Sequence, residues 1–422
     1  MREISEKLQE ELKKLIEIAK IKQYKVNFST VINILIEQKF DLNNVDLIYR
    51  YFNVEGIEIV SEDVEIDGDL DADELSGRIK PFDQTKIDII MKPLTLDLLI
   101  KRLNNSEINL ITEFQRKQGL WDSERKSRLI ESLMLKIPLP AFYFDGEKND
   151  NWLVIDGLQR LGVIKEFFVD KSLQLSKLEF LEDYNGCFVD NLPRSYVRRM
   201  EETQITAYIV NPGTPVNVKY NIFKRINTGG LELVPQEIRH ALYQGKASKL
   251  LEVLASNENF RRATDYSIKT ERMLDREFVL RFIAFSEIGV DKYRGPIDNF
   301  LNDAMGMLNK CNETELNSIK DKFDRGICRA YLIFNKFCFR KMIESERRSP
   351  INKALYDAWT VILSKLDADK AEKILNNKEK VVSEFKEMCL NDEDFLADIG
   401  SGKIISVKRR FEKIEKLVMR CL

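Results

Sequence analysis

Histidine is almost missing: the 422 residues contain one, His240. A zinc hydrolase, a Ser-His-Asp hydrolase or a histidine-dependent metal nuclease would have to be assembled around that single imidazole, which excludes these classes in their usual form. His240 lies in 235–242, which reads as a helix opening at Pro235, and the expected place for it is a helix surface or boundary. Cysteine is sparse as well. Cys187, Cys311, Cys328, Cys338, Cys389 and Cys421 form neither a CxxC pair nor a zinc spacing, so free thiols in a reducing compartment are expected. Apolar runs are short, and none approaches the roughly 20 residues that span a bilayer. The first eleven residues are charged and lack an apolar signal core, so the expected setting is the cytoplasm, away from any membrane.

What remains is an ordinary globular composition, 44% hydrophobic and 32% charged, on a chain longer than one core usually serves. Its charge is unevenly placed. Residues 41–75 hold twelve acidic side chains and only Arg50 as a base, a net −11; against −2 for the whole chain, the rest carries +9. Such asymmetry suits internal pairing or two different partners, and it also suits a plain solvated acidic linker.

Residues 1–60 read as a small helical module. Leu8, Leu12, Leu15, Ile16 and Ala19 recur at helical spacing, two short helices fit 29–38 and 44–52, and Gly56 turns into a short strand ending at Val60. The linker, 61–88, has too little apolar surface to fold alone. Within 12–20, then Tyr24, Phe40 and 56–60 before the acidic run, the chain resembles region 1.1 of primary bacterial sigma factors. It departs from that pattern at Gln23, where the family usually has glycine. The resemblance implies an acidic, DNA-mimicking element, with RNA polymerase as one candidate partner.

Beyond residue 88 helical and strand patterns alternate. Helices are expected over 95–103, 123–135 and 216–226, and strands over 108–110, 141–144, 152–155 and 204–210. From Pro235 onward the pattern is nearly all helical, with breaks near Gly295-Pro296 and Ser349-Pro350. The organisation expected is therefore a helical module (1–60), an acidic linker (61–88), an α/β core (89–235) and a helical C-terminal domain (236–422).

The chemistry concentrates at Ile155-Asp156-Gly157-Leu158-Gln159-Arg160. A strand that ends in Asp-Gly and turns at once into a helix aims backbone N–H groups at whatever lies over the strand end, and such a terminus favours phosphate. Gly157 permits close backbone approach, and Arg160 offers a planar fork for two phosphate oxygens. Gln159 is placed to orient a water or a ribose hydroxyl, and Asp156 to hold a metal or accept a proton. Two other segments suit the same ligand: Phe114-Gln115-Arg116 with Trp121, and Phe223-Lys224-Arg225-Ile226-Asn227-Thr228-Gly229-Gly230. The plainer alternatives are a surface ion pair for Arg116 and a helix C-terminal cation for Arg225.

Those three segments, in that order, resemble the family called domain of unknown function 262, typified by the GmrS half of the modification-dependent restriction enzyme GmrSD. The likeness extends over roughly 90–360, and 275–285, Tyr293-Arg294-Gly295 and Phe300-Leu301 match its later helical part. It implies a ParB/sulfiredoxin-like mixed-sheet core of the α/β (α+β) class and a role in phage defence. It further implies binding of a nucleoside triphosphate with Mg²⁺, and in several members hydrolysis. Asp156 and Gln159 then carry the catalytic roles, with Gln115, Arg116, Gly157, Arg160, Arg225, Asn227 and Gly229 holding the nucleotide; no protein metal-ligand set is implied. The family's Asp-Gly-Gln-Gln-Arg motif is broken here by Leu158, which cannot position water. The C-terminal histidine-asparagine-histidine nuclease of many members cannot be built with one histidine.

Two basic windows, Lys336 to Lys353 and Lys403 to Lys416, leave DNA binding open as an alternative function, with a nuclease subunit or RNA polymerase as alternative partners.

Overall fold

The computed structural model describes residues 25–27, 58–60, 88–110, 121–146, 151–226, 233–342 and 349–422. Two short strands, β1 (Lys25–Asn27) and β2 (Glu58–Val60), pair in parallel. β2 is the strand expected after Gly56. The helices and acidic linker expected within 1–87 lie outside the described residues.

A mixed five-stranded sheet carries the candidate site. Its strands are β3 (Ile89–Thr95), β4 (Ile108–Asn109), β5 (Phe142–Gly146), β6 (Trp152–Asp156) and β7 (Gln204–Val210), in the order β3-β7-β5-β6-β4. β3 runs antiparallel to β7 and β5 antiparallel to β6; β5 with β7 and β4 with β6 are parallel. The expected α+β class is therefore found. β3 was not expected, and its position explains why. As an edge strand it leaves Ile90 and Met91 50% and 60% exposed, so no alternation marks it. Pro93 removes one backbone donor, which only an edge tolerates.

α1 (Leu96–Asn104) opens on Thr95, whose hydroxyl accepts from the Leu98 N–H, and α2 (Ser123–Met134) opens on Asp122, which accepts from the Arg125 N–H. α3 (Leu158–Ile164) widens into a π-helical stretch, Lys165–Val169; α4 (Arg194–Glu201) and α5 (Val216–Ile226) follow. One sheet face packs Phe142, Phe144, Trp152, Val154 and Ala207 against Leu99, Ile130, Leu133, Leu161 and Phe167. On the other, Ile155 and Val210 meet Tyr220 and Phe223 of α5 and Ile238 of α6 (Pro235–Leu242). Between α3 and α4 the chain is mostly irregular, and the carboxylate of Glu131 anchors it by accepting from the N–H groups of Glu179, Phe180 and Leu181 at 3.1, 2.7 and 2.9 Å. Against the opposing effect of burial, those donors hold Glu131 below the usual carboxylate range.

The helices that follow are α7 (Lys246–Ala255), α8 (Glu258–Ala263), α9 (Leu274–Ile283), α10 (Ile297–Lys310), α11 (Glu313–Phe334), α12 (Lys353–Lys365), α13 (Ala368–Asn376), α14 (Lys378–Asn391), α15 (Glu393–Ile399) and α16 (Ile404–Arg420). They enclose one apolar core that includes Phe278, Phe323, Trp359, Phe385 and Ile414. α11 and α12 approach closely because Gly326 faces the Thr360 carbonyl, leaving no room for a Cβ. Both expected breaks occur, with Pro296 capping α10 and Ser349-Pro350 preceding α12. All six cysteines are free thiols. Among the described residues, no helix is long and apolar enough to cross a membrane.

Polar contacts join sheet and helices. Asp298 on α10 pairs with Lys224 on α5 at 2.8 Å and with the fully buried guanidinium of Arg239 on α6. Arg239 also donates to Asn302 (3.0 Å) and Tyr220 (3.4 Å). His240 is buried beside Arg276, its Nδ1 3.2 Å from Nη1, which corrects the surface or boundary position expected for it. Burial, reinforced by the Arg276 charge, pushes the imidazole down to about 4.

Two outcomes follow from these contacts. Asp298→Ala removes the carboxylate bonded to the buried Arg239 and should lower unfolding stability by about 3–5 kcal/mol, read from the denaturation midpoint; a loss under about 1 kcal/mol would mean that the pair is dispensable. His240 is harder to protonate folded than unfolded, where a pKa of about 6.5 is usual. Its contribution is complete above about pH 6.5 and is lost as pH falls towards 4, at up to about 1.4 kcal/mol per pH unit. His240→Gln should flatten that part of the stability profile between pH 6.5 and 4.5, and an unchanged slope would assign it to other groups.

Candidate functional site

β4 and β6 are parallel, Ile108 beside Trp152 and Asn109 beside Leu153, so both strands run towards the same rim of the sheet. β6 ends there in Asp156, and the chain leaves β4 there through Leu110. Phe223, near the end of α5, shares an apolar cluster with Ile155 and Tyr143. β4 thus lies beside the first residues of β6 and runs towards that rim, while the end of α5 packs near Ile155; residues 111–120 and 227–232 follow these two elements in the chain. Gln115, Arg116, Asn227 and Gly229 themselves lie outside the described residues.

The turn at the rim is tightly determined. Gly157 has φ +98° and forms the N-cap of α3, with no side chain capping the helix. A Cβ added there would lie 2.5 Å from Cδ1 of Phe142, so both backbone and packing demand glycine. The Leu161 N–H donates to the Gly157 carbonyl at 2.8 Å, which starts the helix.

Arg160, one turn on, folds back beneath this corner. Its Nη1 donates to the Pro140 carbonyl, and its Nη2 to the Ala141 carbonyl at 3.2 Å and to Asp156 Oδ2 at 3.1 Å. The guanidinium lies 4.6 Å from the centre of the Phe142 ring and its side chain is 11% exposed. Two of the three guanidinium nitrogens are thus engaged within the protein. Burial lowers the Arg160 pKa, and Asp156 partly offsets it. Burial likewise raises Asp156 above the usual carboxylate range, against the pull of Arg160 and of the Gly157 N–H. A carboxylate held in this way gains more than an exposed one from a cation or proton brought to it.

Gln159 is half-buried in the first turn of α3. Leu158, at the position where the motif departs from its family, packs against the sheet core. Arg225 is exposed in the last turn of α5, while its neighbour Lys224 is engaged by Asp298. Among the described residues no group of three acidic, histidine or cysteine side chains could hold a metal ion.

The basic windows look different in three dimensions. Arg340 is buried and donates to the Ser349 carbonyl and to Ser267; Lys353 pairs with Glu277 at 3.0 Å. Arg410 is buried against the Asp398 and Ser401 carbonyls, and Lys413 pairs with Asp392 at 2.8 Å. Of the cations read as a phosphate-contacting face, Arg340 and Arg410 are therefore internal braces, and Lys353 and Lys413 are half-buried and already ion-paired. Sequence reasoning missed this for two reasons: Arg340 lies off the helix expected there, in a bridge to Ile351, and a cation on a helix, such as Arg410, gives no sign of which face will be packed.

Gly157→Ala forces a left-handed residue to carry a Cβ into Phe142 and should destabilise the protein by roughly 2–5 kcal/mol, measured by thermal or denaturant melts. Phe142→Leu in the same background should recover only the packing part. A stable Gly157→Ala protein would show that the turn is not held as described.

Against this geometry stand two matches to known families. Residues 99–244 match the model for the GmrSD restriction endonuclease, N-terminal domain, and residues 6–79 match that for Sigma-70 factor, region 1.1. No curated protein matches the chain. The first match encloses the rim from α1 to α6, including all three motif segments, and the second spans β1 and β2. The chain is thus similar over 6–79 to sigma-70 region 1.1 and over 99–244 to the GmrSD N-terminal domain, which points to a component of a restriction-like system.

Proposed function

We propose that the rim around residues 156–160 binds a nucleoside triphosphate, and that the chain is the nucleotide-binding regulatory component of a restriction-like defence system. One observation carries this reading: α3 starts at a left-handed glycine with no side chain capping it, directly beyond a half-buried acid. Uncapped N–H groups at a helix start, with the positive end of the helix dipole, favour phosphate oxygens. Arg225 and the remaining donor of Arg160, Nε, add positive charge around that position. Arg160 acts here mainly as a positioning residue, because its other nitrogens already bind protein atoms.

Mg²⁺ suits the same arrangement, since it commonly takes one or two carboxylates and completes its shell with phosphate oxygens and water. Asp156 is the carboxylate for that role, and the ion would neutralise phosphate charge beside it. Gln159 is the side chain left to orient a water. Leu158, packed against the core, offers no second amide, so slow turnover is expected. DNA, a nuclease subunit or RNA polymerase remains the partner class, and the sigma-like segment favours a protein partner.

Melting curves with ATP, GTP, CTP and UTP in Mg²⁺ test the proposal, because a ligand that binds only the folded state at 100 times its Kd adds about 2.7 kcal/mol. At least one nucleotide should raise the melting temperature, and Arg225→Ala should weaken the effect. Phosphate release should be slow and should increase in Leu158→Gln. A flat response to all four nucleotides rejects the reading.

A further inference from the structure

Four residues form one row across the sheet beside the rim. Met91 of β3 is in register with Tyr208 of β7, Tyr208 with Tyr143 of β5, and Tyr143 with Asp156 of β6. Cross-strand partners project to the same face, which aligns Met91, Tyr208 and Tyr143; the β5–β6 register shifts beside Tyr143, where the row meets the strand end and Asp156 turns onto Arg160. The two rings are stacked, with centroids 4.9 Å apart and planes 16° from parallel. Both tyrosines are only half-buried, and Met91 is 60% exposed. Tyr143 borders the apolar cluster under α5, whereas Tyr208 and Met91 belong to neither cluster that packs the sheet.

Cross-strand packing alone would account for a stacked pair. It does not account for a row that stays partly open and leads to the one acid at the motif turn. Burial, with Tyr208 and Asp156 nearby, raises the Tyr143 pKa, so its hydroxyl remains a hydrogen-bond donor at neutral pH.

We infer that the Tyr208–Met91 end of this row is the platform on which the base of the nucleotide lies, with its phosphates at the Gly157 turn. The inference rests on the proposed nucleotide site and adds where the base goes. A flat aromatic ring matches a tyrosine face flanked by a thioether in shape and polarisability, and such stacking tolerates any base. Recognition by this row therefore selects a nucleoside over a bare phosphate chain and discriminates only modestly among bases.

Calorimetric titration of the full chain with inorganic tripolyphosphate and with the four nucleoside triphosphates, all in Mg²⁺, separates the two claims. The nucleotides should bind more tightly than tripolyphosphate by roughly 5- to 150-fold, the range expected for one stacked base. Tyr208→Ala should abolish most of that advantage while leaving tripolyphosphate affinity unchanged, and Tyr208→Phe should retain it. The unchanged tripolyphosphate affinity distinguishes a lost platform from a damaged fold. If nucleotides bind no better than tripolyphosphate, or Tyr208→Ala keeps the full advantage or weakens both probes alike, the platform is wrong although the phosphate site stands. If neither probe binds the wild-type chain, the nucleotide reading fails and the platform with it.

Discussion

One guanidinium fixes the corner on which the candidate site depends. Arg160 ties the start of β5 to the end of β6 by donating to the Pro140 and Ala141 carbonyls and to Asp156, while its flat face rests on Phe142. The same ring fills the space that a Cβ on residue 157 would need, so the brace and the glycine form one constraint. Removing the arginine would take the side-chain donor from two carbonyls and leave the half-buried carboxylate only the Gly157 N–H, a cost that falls on the turn before any ligand is considered. Burial disfavours the charged form of both Asp156 and Arg160, so their attraction offsets desolvation and adds little beyond that. What the pair supplies is a fixed position for the acid.

A second set of contacts ties this corner to the helices. Lys224, three residues before 227–232, binds Asp298, and Asp298 binds Arg239, which reaches Tyr220 and Asn302. Buried charges of this kind add little net stability when complete and cost much when one member is lost. They fix which surface of α5 faces α10, and so set how the helices sit beside the rim. Slippage between α5 and α10 would pull Lys224 away from Asp298, so the contact resists small displacements.

Much of this was legible in the sequence where pattern and chemistry coincide. The strand ending at Asp156 and the helix starting after Gly157 follow from an apolar run broken by Asp-Gly. Other features left no such mark. β3 is an edge strand with consecutive exposed apolar residues and a proline, so it shows no period. The irregular stretch after α3 depends on Glu131, a carboxylate some fifty residues away in sequence. Arg160 was legible as a cation near the turn, but its direction, back onto carbonyls, depends on where β5 lies. His240, Arg340 and Arg410 read as surface residues on helices because burial on a given helix face is decided by tertiary packing. Family resemblance named the three motif segments, whereas the row from Met91 to Asp156 emerged only from strand register.

The triphosphate, on the proposed function, is held at the turn from Asp156 to Leu161. Amide hydrogen exchange, with and without nucleoside triphosphate and Mg²⁺, tests it most directly, because uncapped N–H groups at the start of α3 become slow only when something accepts from them. A bound nucleotide should slow exchange in a peptide covering 156–161 and leave the α11–α12 core unchanged. Nucleotide binding that protects another region while this turn exchanges as before would contradict it.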